Sequence, residues 1–535
     1  MRRAIAFLLL WLCAPLARPQ EPGVKSYDER HQDFAFLTFD ELVALSSTAK
    51  PEERLPERLN SILTTPIVHN DASAAAAHPH RPTVHGLGPV VRVGLWNIER
   101  GLNFEVIKSA LTDTNEFEKF ENESKPLTGF QKETIQSQLN TLQNADVLVL
   151  NEVDLGMKRT DYRDVAHDLA EALHMNYAYG VEFVEVDPVF ALGTEQVHLP
   201  DAQQDQRLRQ DLQVDRVRYR GLHGTAILSR YPIRNARIVR LPVCYDWFSQ
   251  EWREVAHIEK GKRWAAHRLF NERISREIRQ GGRMALIVDL AIPESPTGEA
   301  TIVATHLENR CAPACRRSQM EAVLAAVEQI ANPVVLAGDM NTTGKKNTPT
   351  SVRNEIMSRV RDYQFWIGQA VSYFHPLGIY QHALFPVHYL HGYNDPTAFH
   401  MPILWNNRER ALFKGVEKFR FSDNRAFDFR GEPERTLKGR SRTLADSNER
   451  AVKGFVPTYS FARDYGGLVG RFKLDWIFVK PFVQDPRLTE QSGLFAPHFP
   501  NTMRALNESV NDRICDHAPI TVDLPLREPT QPVKP

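Results

Sequence analysis

Polar and ionisable residues stand where short apolar runs of this sequence stop. Asn97 and Glu99 follow VGLW, Glu152 and Asp154 end the run DVLVLNEVD, and His306 closes TIVATH. Asp339 and Asn341 follow VVLAG, Asp475 lies within KLDWIF, and Asp516 and His517 precede APITVDL. Such groups are costly at the ends of buried strands unless hydrogen-bonded, ion-paired or bound to a metal. One alone is ordinarily a satisfied core group, but a set in step with successive strands asks for a chemical reason. The residue types suit one reaction. Glu152, Asp516 and Glu99 offer hard carboxylate oxygens of the kind that hold Mg2+, Mn2+ or Ca2+. Such a cation neutralises the non-bridging oxygens of a phosphate ester and the charge that develops as water attacks phosphorus. The attack also needs a group to orient the water and one to protonate or stabilise the leaving oxygen. Asp339 suits the first task, His306 and His517 the second. Asp475 is placed to hold the His517 imidazole in one tautomer and raise its pKa.

These residues need a scaffold. VVRVGLWN, ADVLVLNEVD, GTAILSR, MALIVDLAI, TIVATHLE, PVVLAGDMN, KLDWIFVK and APITVDL are short and rich in Val, Ile and Leu, as buried strands are. GFQKETIQSQLNTLQNA and RRSQMEAVLAAVEQIA carry apolar residues at helical spacing just before two of those strands. The alternation predicts two sheets packed face to face with helices outside, rather than one parallel sheet. Three stretches interrupt it: a polar one at 188–220, a Trp- and Arg-containing one at 243–280, and an aromatic- and His-rich one at 345–456. Loops this long in a compact domain are usually functional or disordered. The aromatic content of the third argues against disorder, leaving a substrate-side lid or an elaboration packed on the core.

Arg2 and Arg3 precede an apolar run from Ala4 to Cys13, and APLARP follows. That is the pattern of a signal peptide over residues 1–18, cleaved after Ala17, and so of an exported chain. The run is shorter than the ~20 residues that span a bilayer, and no other candidate span follows, so the mature chain is expected to lack a transmembrane segment. Residues 19–89 read as an extension that ends in the linker Asp71–Pro89, whose His78, His80 and His85 are the composition of a solvated loop or, less commonly, a metal site. The main domain then occupies 90–527, with 528–535 as a tail. Of five cysteines, Cys13 leaves with the signal, and an even four remain. In an exported chain these point to two disulfides, a short Cys311–Cys315 loop and a long-range Cys244–Cys515 bridge, with zinc as the other reading of the CxxxC pair. Lys and Arg number 66, as do Asp and Glu, which excludes a global basic field. Arg100, Arg283, Arg310, Arg316 and Arg317 near the motif ends are the candidates for a local phosphate-binding patch.

In order, WNIERG, LNEVD, HGTAILSR, ATHLE, GDMN, KLDWIF and DHAP resemble the motif series of the endonuclease/exonuclease/phosphatase (DNase I-like) superfamily, between Val90 and Leu526. GDMN followed by DHAP is the most specific part. The resemblance implies an α+β fold, a four-layer α/β/β/α sandwich with long insertions and its site at one edge of the two central sheets. It implies Glu152 as a principal metal ligand, Asp516 completing the shell, and Glu99 as a third ligand where some members have Asp. Asn97 would contact phosphate, His306 would face the scissile group, and Asp339 would orient the water. Asn341 would hold phosphate and Asp475 would pair with His517. The implied activity is that of a metal-dependent phosphoric ester hydrolase using Mg2+, Mn2+ or Ca2+ on a phosphodiester, nucleic acid among the possible substrates. A phospholipid or inositol-phosphate esterase, or a non-catalytic binding module on the same fold, are the alternatives. Two departures stand out. Asn151 precedes Glu152 where many members have Gln, and His223 lies near a position often Asn or Tyr, where it either contacts substrate or packs at a strand start.

Overall fold

All eight apolar runs form strands in the computed structural model, and the alternation along each strand assigns its side chains to two different layers. The structure describes residues 31, 34–47, 54–73, 78–85, 87–122, 127–194, 212–253, 277–342, 396–397, 408–428, 456–461, 471–481 and 501–526. The expected signal peptide, the 528–535 tail and the greater part of the 345–456 insertion lie outside these, as do 195–211 and 254–276 of the other insertions. Residues Met1–Phe36 and Leu37–Pro535 are separate compact units. In the first, the Phe34 and Phe36 rings meet edge to face at 5.0 Å. The second holds everything that follows.

The larger sheet has nine strands: β1 (Ile67–His69), β2 (Thr83–Val84), β3 (Gly88–Arg100), β4 (Val147–Leu155), β5 (Asn176–Glu185), β6 (Leu222–Ser229), β8 (Arg279–Gly281), β15 (Asn501–Thr502) and β16 (Ile520–Pro525). Their order is β1-β5-β6-β4-β3-β16-β15, with β2 on β3 and β8 on β5. The smaller sheet, of five, has β7 (Ile233–Arg240), β9 (Met284–Ala291), β10 (Glu299–His306), β11 (Val334–Asp339) and β14 (Asp475–Lys480), in the order β14-β11-β10-β9-β7. A short hairpin, β12 (Tyr459–Ser460) with β13 (Arg471–Phe472), stands apart. Each large sheet contains one parallel pair, β3 with β4 and β10 with β11.

Between the sheets, Val93, Leu95, Val147, Val149 and Ile227 of one interdigitate with Leu286, Val288, Ile302, Val335 and Ile477 of the other. The opposite face of the smaller sheet, through Ile287, Val303, Leu336 and Phe478, packs on helix Pro313–Val327 and helix Arg410–Lys418. Helices Phe104–Thr112, Gly129–Gln143 and Val165–Leu173 cover the outside of the larger sheet. At Gly94 a Cβ would sit 2.8 Å from Leu148 and 3.8 Å from Leu142 of the second of these helices. That helix opens on a capping box in which Thr128 and Gln131 satisfy each other's backbone N–H groups. The result is the four-layer sandwich that the motif series implies. Among the described residues, no helix is long and apolar enough to cross a membrane.

Within 408–428 the 345–456 insertion packs on the core. Arg316 of helix Pro313–Val327 pairs with Glu409 in a fully buried ion pair. Phe419, Phe421 and Phe427 cluster beside Phe478, and the Lys480 ammonium bonds Asp423 at 2.7 Å. His78, His80 and His85 are exposed, and the His80 backbone donates to Asp146.

The cysteine pairing differs from the expected one. Cys244, after β7, is joined to Cys315, while Cys311 and Cys515 are buried free thiols. The cause is direction. Cys315 sits half-buried in the first turn of helix Pro313–Val327, whereas Cys311 points inward and donates to the Glu308 carbonyl. Cys515 is held behind the site, its backbone bonded at both N–H and C=O to the Asn507 side chain. The bridge closes a loop with a sequence separation of 71, so its loss should cost roughly 2–4 kcal/mol through the unfolded chain. Cys244→Ser is therefore expected to lower Tm by several degrees under non-reducing conditions. An unchanged Tm would show that the bridge does not form.

Candidate active site

Strand register gathers the site. In the smaller sheet His306, Asp339 and Asp475 occupy one row, His306 opposite Asp339 and Asp339 opposite Asp475. In the larger sheet Asn97 lies opposite Asn151. Gly338 makes the first row possible, because a Cβ there would lie 1.8 Å from the Thr305 carbonyl oxygen. Next to these rows the backbone turns sharply. The β3–β4 register shifts between Asn97 and Arg100, and the β4–β6 register between Leu150 and Val153. Glu99, Arg100, Glu152 and Asn341 all have positive φ, at 48°, 67°, 52° and 48°. Non-glycine residues in this region cost on the order of 1–3 kcal/mol each. Here the bulges aim side chains out of the sheet plane toward one place.

Asp339 is the hub. Its Oδ2 accepts from Asn97 Nδ2 at 3.2 Å and lies 3.5 Å from His306 Nε2 and 3.6 Å from His517 Nε2. Its Oδ1 accepts the Asn341 N–H, and its own N–H donates to Asn151 Oδ1 at 2.9 Å. Asn151 Nδ2 in turn donates to Thr225, so this side chain links the two sheets directly behind the site. Burial, with Asp475 adding to it, pushes the Asp339 carboxyl up to about 7, although His517 opposes the shift. The Asn341 amide donates to the Leu307 carbonyl.

The two histidines beside Asp339 have opposite surroundings. His517 Nδ1 is 2.7 Å from Asp475 Oδ2, an oxygen that also accepts from the Thr458 hydroxyl at 2.6 Å. Burial alone would lower its pKa, but Asp475, Asp339 and Asp516 outweigh burial and hold it well above the ordinary value. His306 Nδ1 instead meets Arg283 Nη1 at 2.9 Å. Burial and then Arg283 hold His306 well below the ordinary value.

Glu152 is half-buried, and among the described residues its carboxylate has no hydrogen bond or ion pair. Burial would raise its pKa, but Arg100, His223, His517 and Arg283 together hold it below the ordinary value. Glu99 accepts the Asp516 N–H at 3.1 Å. Burial, then the Asp516 carboxylate, push Glu99 up to about 8, with a smaller push from Glu152. Glu152, Glu99 and Asp516 thus bear on one another electrostatically, and carboxylate oxygens are the donors a hard divalent cation takes. The tightest potential ligand group among the described residues is nevertheless a different one. Asp339, Asp475 and His517 bring ligand atoms within 4.8 Å of one another. Those three are already engaged with each other, the imidazole lying between the two carboxylates, whereas the Glu152 carboxylate makes no hydrogen bond or ion pair among the described residues.

His223 Nδ1 bonds Asp154 Oδ1 at 2.8 Å, and Arg159 grips the same carboxylate with two N–H groups. The ring is thus fixed at a strand start, with Nε2 as its other polar atom. The five arginines considered for a phosphate patch are all paired within the protein. Arg100 binds Glu277, Arg283 binds Glu182, Arg310 binds Glu251, Arg316 binds Glu409, and Arg317 pairs with Glu321 one turn along its helix. Sequence reasoning missed Glu182, Asn151 and Thr458 as supports of the site, and placed Arg283 with the phosphate contacts rather than behind His306. Asn151 alone carried a signal, as the polar residue before Glu152.

A sequence model described as the Endonuclease/Exonuclease/phosphatase family matches residues 94–488. A search of curated protein sequences found no match. Among solved structures, an endonuclease/exonuclease/phosphatase from Beutenbergia cavernae is 17% identical, covering 82% of this chain and 72% of its own, with a TM-score of 0.35. A 3'-5' exonuclease from Neisseria meningitidis is 12% identical, covering 81% and 99%, with a TM-score of 0.36. Sphingomyelinase C from Streptomyces griseocarneus is 11% identical, covering 82% and 99%, with a TM-score of 0.31.

Proposed function

Because this chain belongs to the Endonuclease/Exonuclease/phosphatase family, we propose that it hydrolyses a phosphodiester by attack of water on phosphorus, with a divalent cation bound. One observation carries the reading: a single buried carboxylate oxygen of Asp339 is ringed by Asn97, His306 and His517, drawn from both sheets. Glu152, with Glu99 and Asp516, would hold Mg2+ or Mn2+. A cation bound there would draw charge from the non-bridging oxygens of the ester.

The chain's own groups then divide the remaining work. Asp339 orients the attacking water, and accepts its proton most readily above about pH 7, where its carboxyl is ionised. The amides of Asn97 and Asn341 and the Nε2–H of His306 donate to phosphate oxygens. His517, protonated through Asp475, stabilises the charge on the leaving oxygen or donates a proton to it. His223 Nε2 faces substrate, its ring locked by Asp154. The Cys244–Cys315 bridge, together with the basic-then-apolar start of the sequence, supports an exported protein.

Purified protein with Mg2+ or Mn2+ is expected to hydrolyse bis-p-nitrophenyl phosphate, and EDTA should abolish turnover. The same assay on plasmid DNA, RNA, sphingomyelin and inositol polyphosphates then ranks natural substrates. No turnover of any mono- or diester with any divalent metal would sink the hydrolase reading and leave a binding module.

A further inference from the structure

His306 and His517 flank the same oxygen of Asp339 at nearly equal distances, 3.5 and 3.6 Å, yet their outer nitrogens meet opposite charges. His517 Nδ1 faces a carboxylate, Asp475, at 2.7 Å. His306 Nδ1 faces a guanidinium, Arg283, at 2.9 Å. An arginine has five N–H donors, no acceptor, and keeps its charge in proteins. A short contact between Arg283 Nη1 and His306 Nδ1 is therefore a hydrogen bond only if Nδ1 carries a lone pair. The single proton of the neutral ring must then sit on Nε2, the nitrogen that points at Asp339. A proton on Nδ1 would set two donors against each other in a buried place, and Glu182 Oε2, 3.9 Å from Nδ1, already accepts from Arg283 Nη1.

Arg283 is itself held still. Its Nη1 donates to Glu182 Oε2 at 2.7 Å, its Nε lies 3.6 Å from Glu308 Oε2, and it is buried over the Phe183 ring. Glu182 is fixed in turn by the Thr225 hydroxyl at 2.7 Å. The Arg283 contacts end on Glu182, Glu308 and His306, so His306 is its hydrogen-bonded link to Asp339, although its charge also bears on Glu152.

We propose that Arg283 is a positioning residue that locks His306 as a neutral Nε2–H donor, leaving proton donation to His517. The reaction-side role rests on the hydrolase reading above, whereas the tautomer does not. With the roles divided, phosphate meets one neutral donor and one cationic acid rather than two competing cations.

The test joins spectroscopy with a double-mutant cycle on the full-length protein. In wild type, long-range 1H–15N spectra of histidine-labelled protein should show His306 Nδ1 unprotonated and Nε2 protonated. Arg283→Met should lower kcat on bis-p-nitrophenyl phosphate by about 10- to 100-fold with KM little changed, and Arg283→Lys should restore most of the loss. In a His306→Ala background Arg283→Met should add less than about threefold, because its route to the phosphate is gone. A proton on His306 Nδ1 in wild type, or a full additive loss in the His306→Ala background, overturns the proposal. If Arg283→Met does not fold, the wild-type tautomer and Arg283→Lys decide. An inactive wild type with the expected tautomer would reject the hydrolase reading and keep the lock.

Discussion

His517→Ala is expected to lower kcat by about 10²- to 10⁴-fold, the span over which a positioned acid or base contributes. Two losses combine in this variant. The cation beside the leaving oxygen disappears, and Asp475 is left as a buried carboxylate whose Oδ1 already lacks a partner. Asp475→Asn should give a smaller loss of the same kind, since the amide can still hold the ring but no longer favours its protonation. The pH profile separates this from simple misfolding. Burial and Asp475 raise Asp339 to about 7, so activity should climb as pH rises toward that value and its carboxyl ionises, a bound cation moving this limb lower. His517 is held well above its ordinary value, so the alkaline limb should fall only where the imidazolium is lost. His517→Ala should move the first limb to higher pH, because His517 no longer opposes the Asp339 shift, and remove the second. A variant with wild-type kcat would rule out His517 as the acid, and an unchanged alkaline limb would assign that limb to another group.

The sequence could be read this far because strands that bury both faces are conspicuous, and a charge at the end of one is conspicuous too. Eight apolar runs were legible for that reason, and polar residues at the ends of several of them, Asn97, His306, Asp475 and His517, are brought together around Asp339. Strands β5 and β7 were not legible. NYAYGVEFVE mixes Asn, Gly and two Glu into a strand that is buried along its whole length, and IRNARIVR carries three arginines. In the first, the polar groups are answered from other strands: Glu182 by Arg283 and Thr225, Asn176 by the carbonyls of Ser229 and Tyr231. Periodicity within one segment holds no trace of such partners. The same limit hid the supports of the site. Whether Arg283 faces a phosphate or a histidine depends on the β9–β10 register, and whether Cys315 meets Cys311 or Cys244 depends on which side of a helix it occupies. The motif series carried the catalytic row, and its surroundings needed coordinates.

Replacing Glu152 by alanine is expected to abolish the response to divalent metal and to lower hydrolysis by at least about a thousandfold, as loss of a site's principal charge stabiliser does. The wild-type protein should be stabilised by Mg2+ or Mn2+, by about 2.7 kcal/mol at a hundred times Kd, and so gain Tm. Because the Glu152 side chain makes no hydrogen bond or ion pair among the described residues, the metal-free variant should stay folded near the wild-type Tm. That makes the variant a clean probe of ligation. Glu99 adds a pH signature with a definite sign. Its carboxyl holds a proton up to about pH 8, and a cation must displace that proton to use the oxygen. The metal-induced gain in Tm should therefore grow as pH rises from about 6 to 8, and Glu99→Gln should flatten that growth without removing the gain. Should Glu152→Ala keep both the metal-induced gain and its activity, the cation must bind elsewhere, and the Asp339, Asp475 and His517 group becomes the place to look.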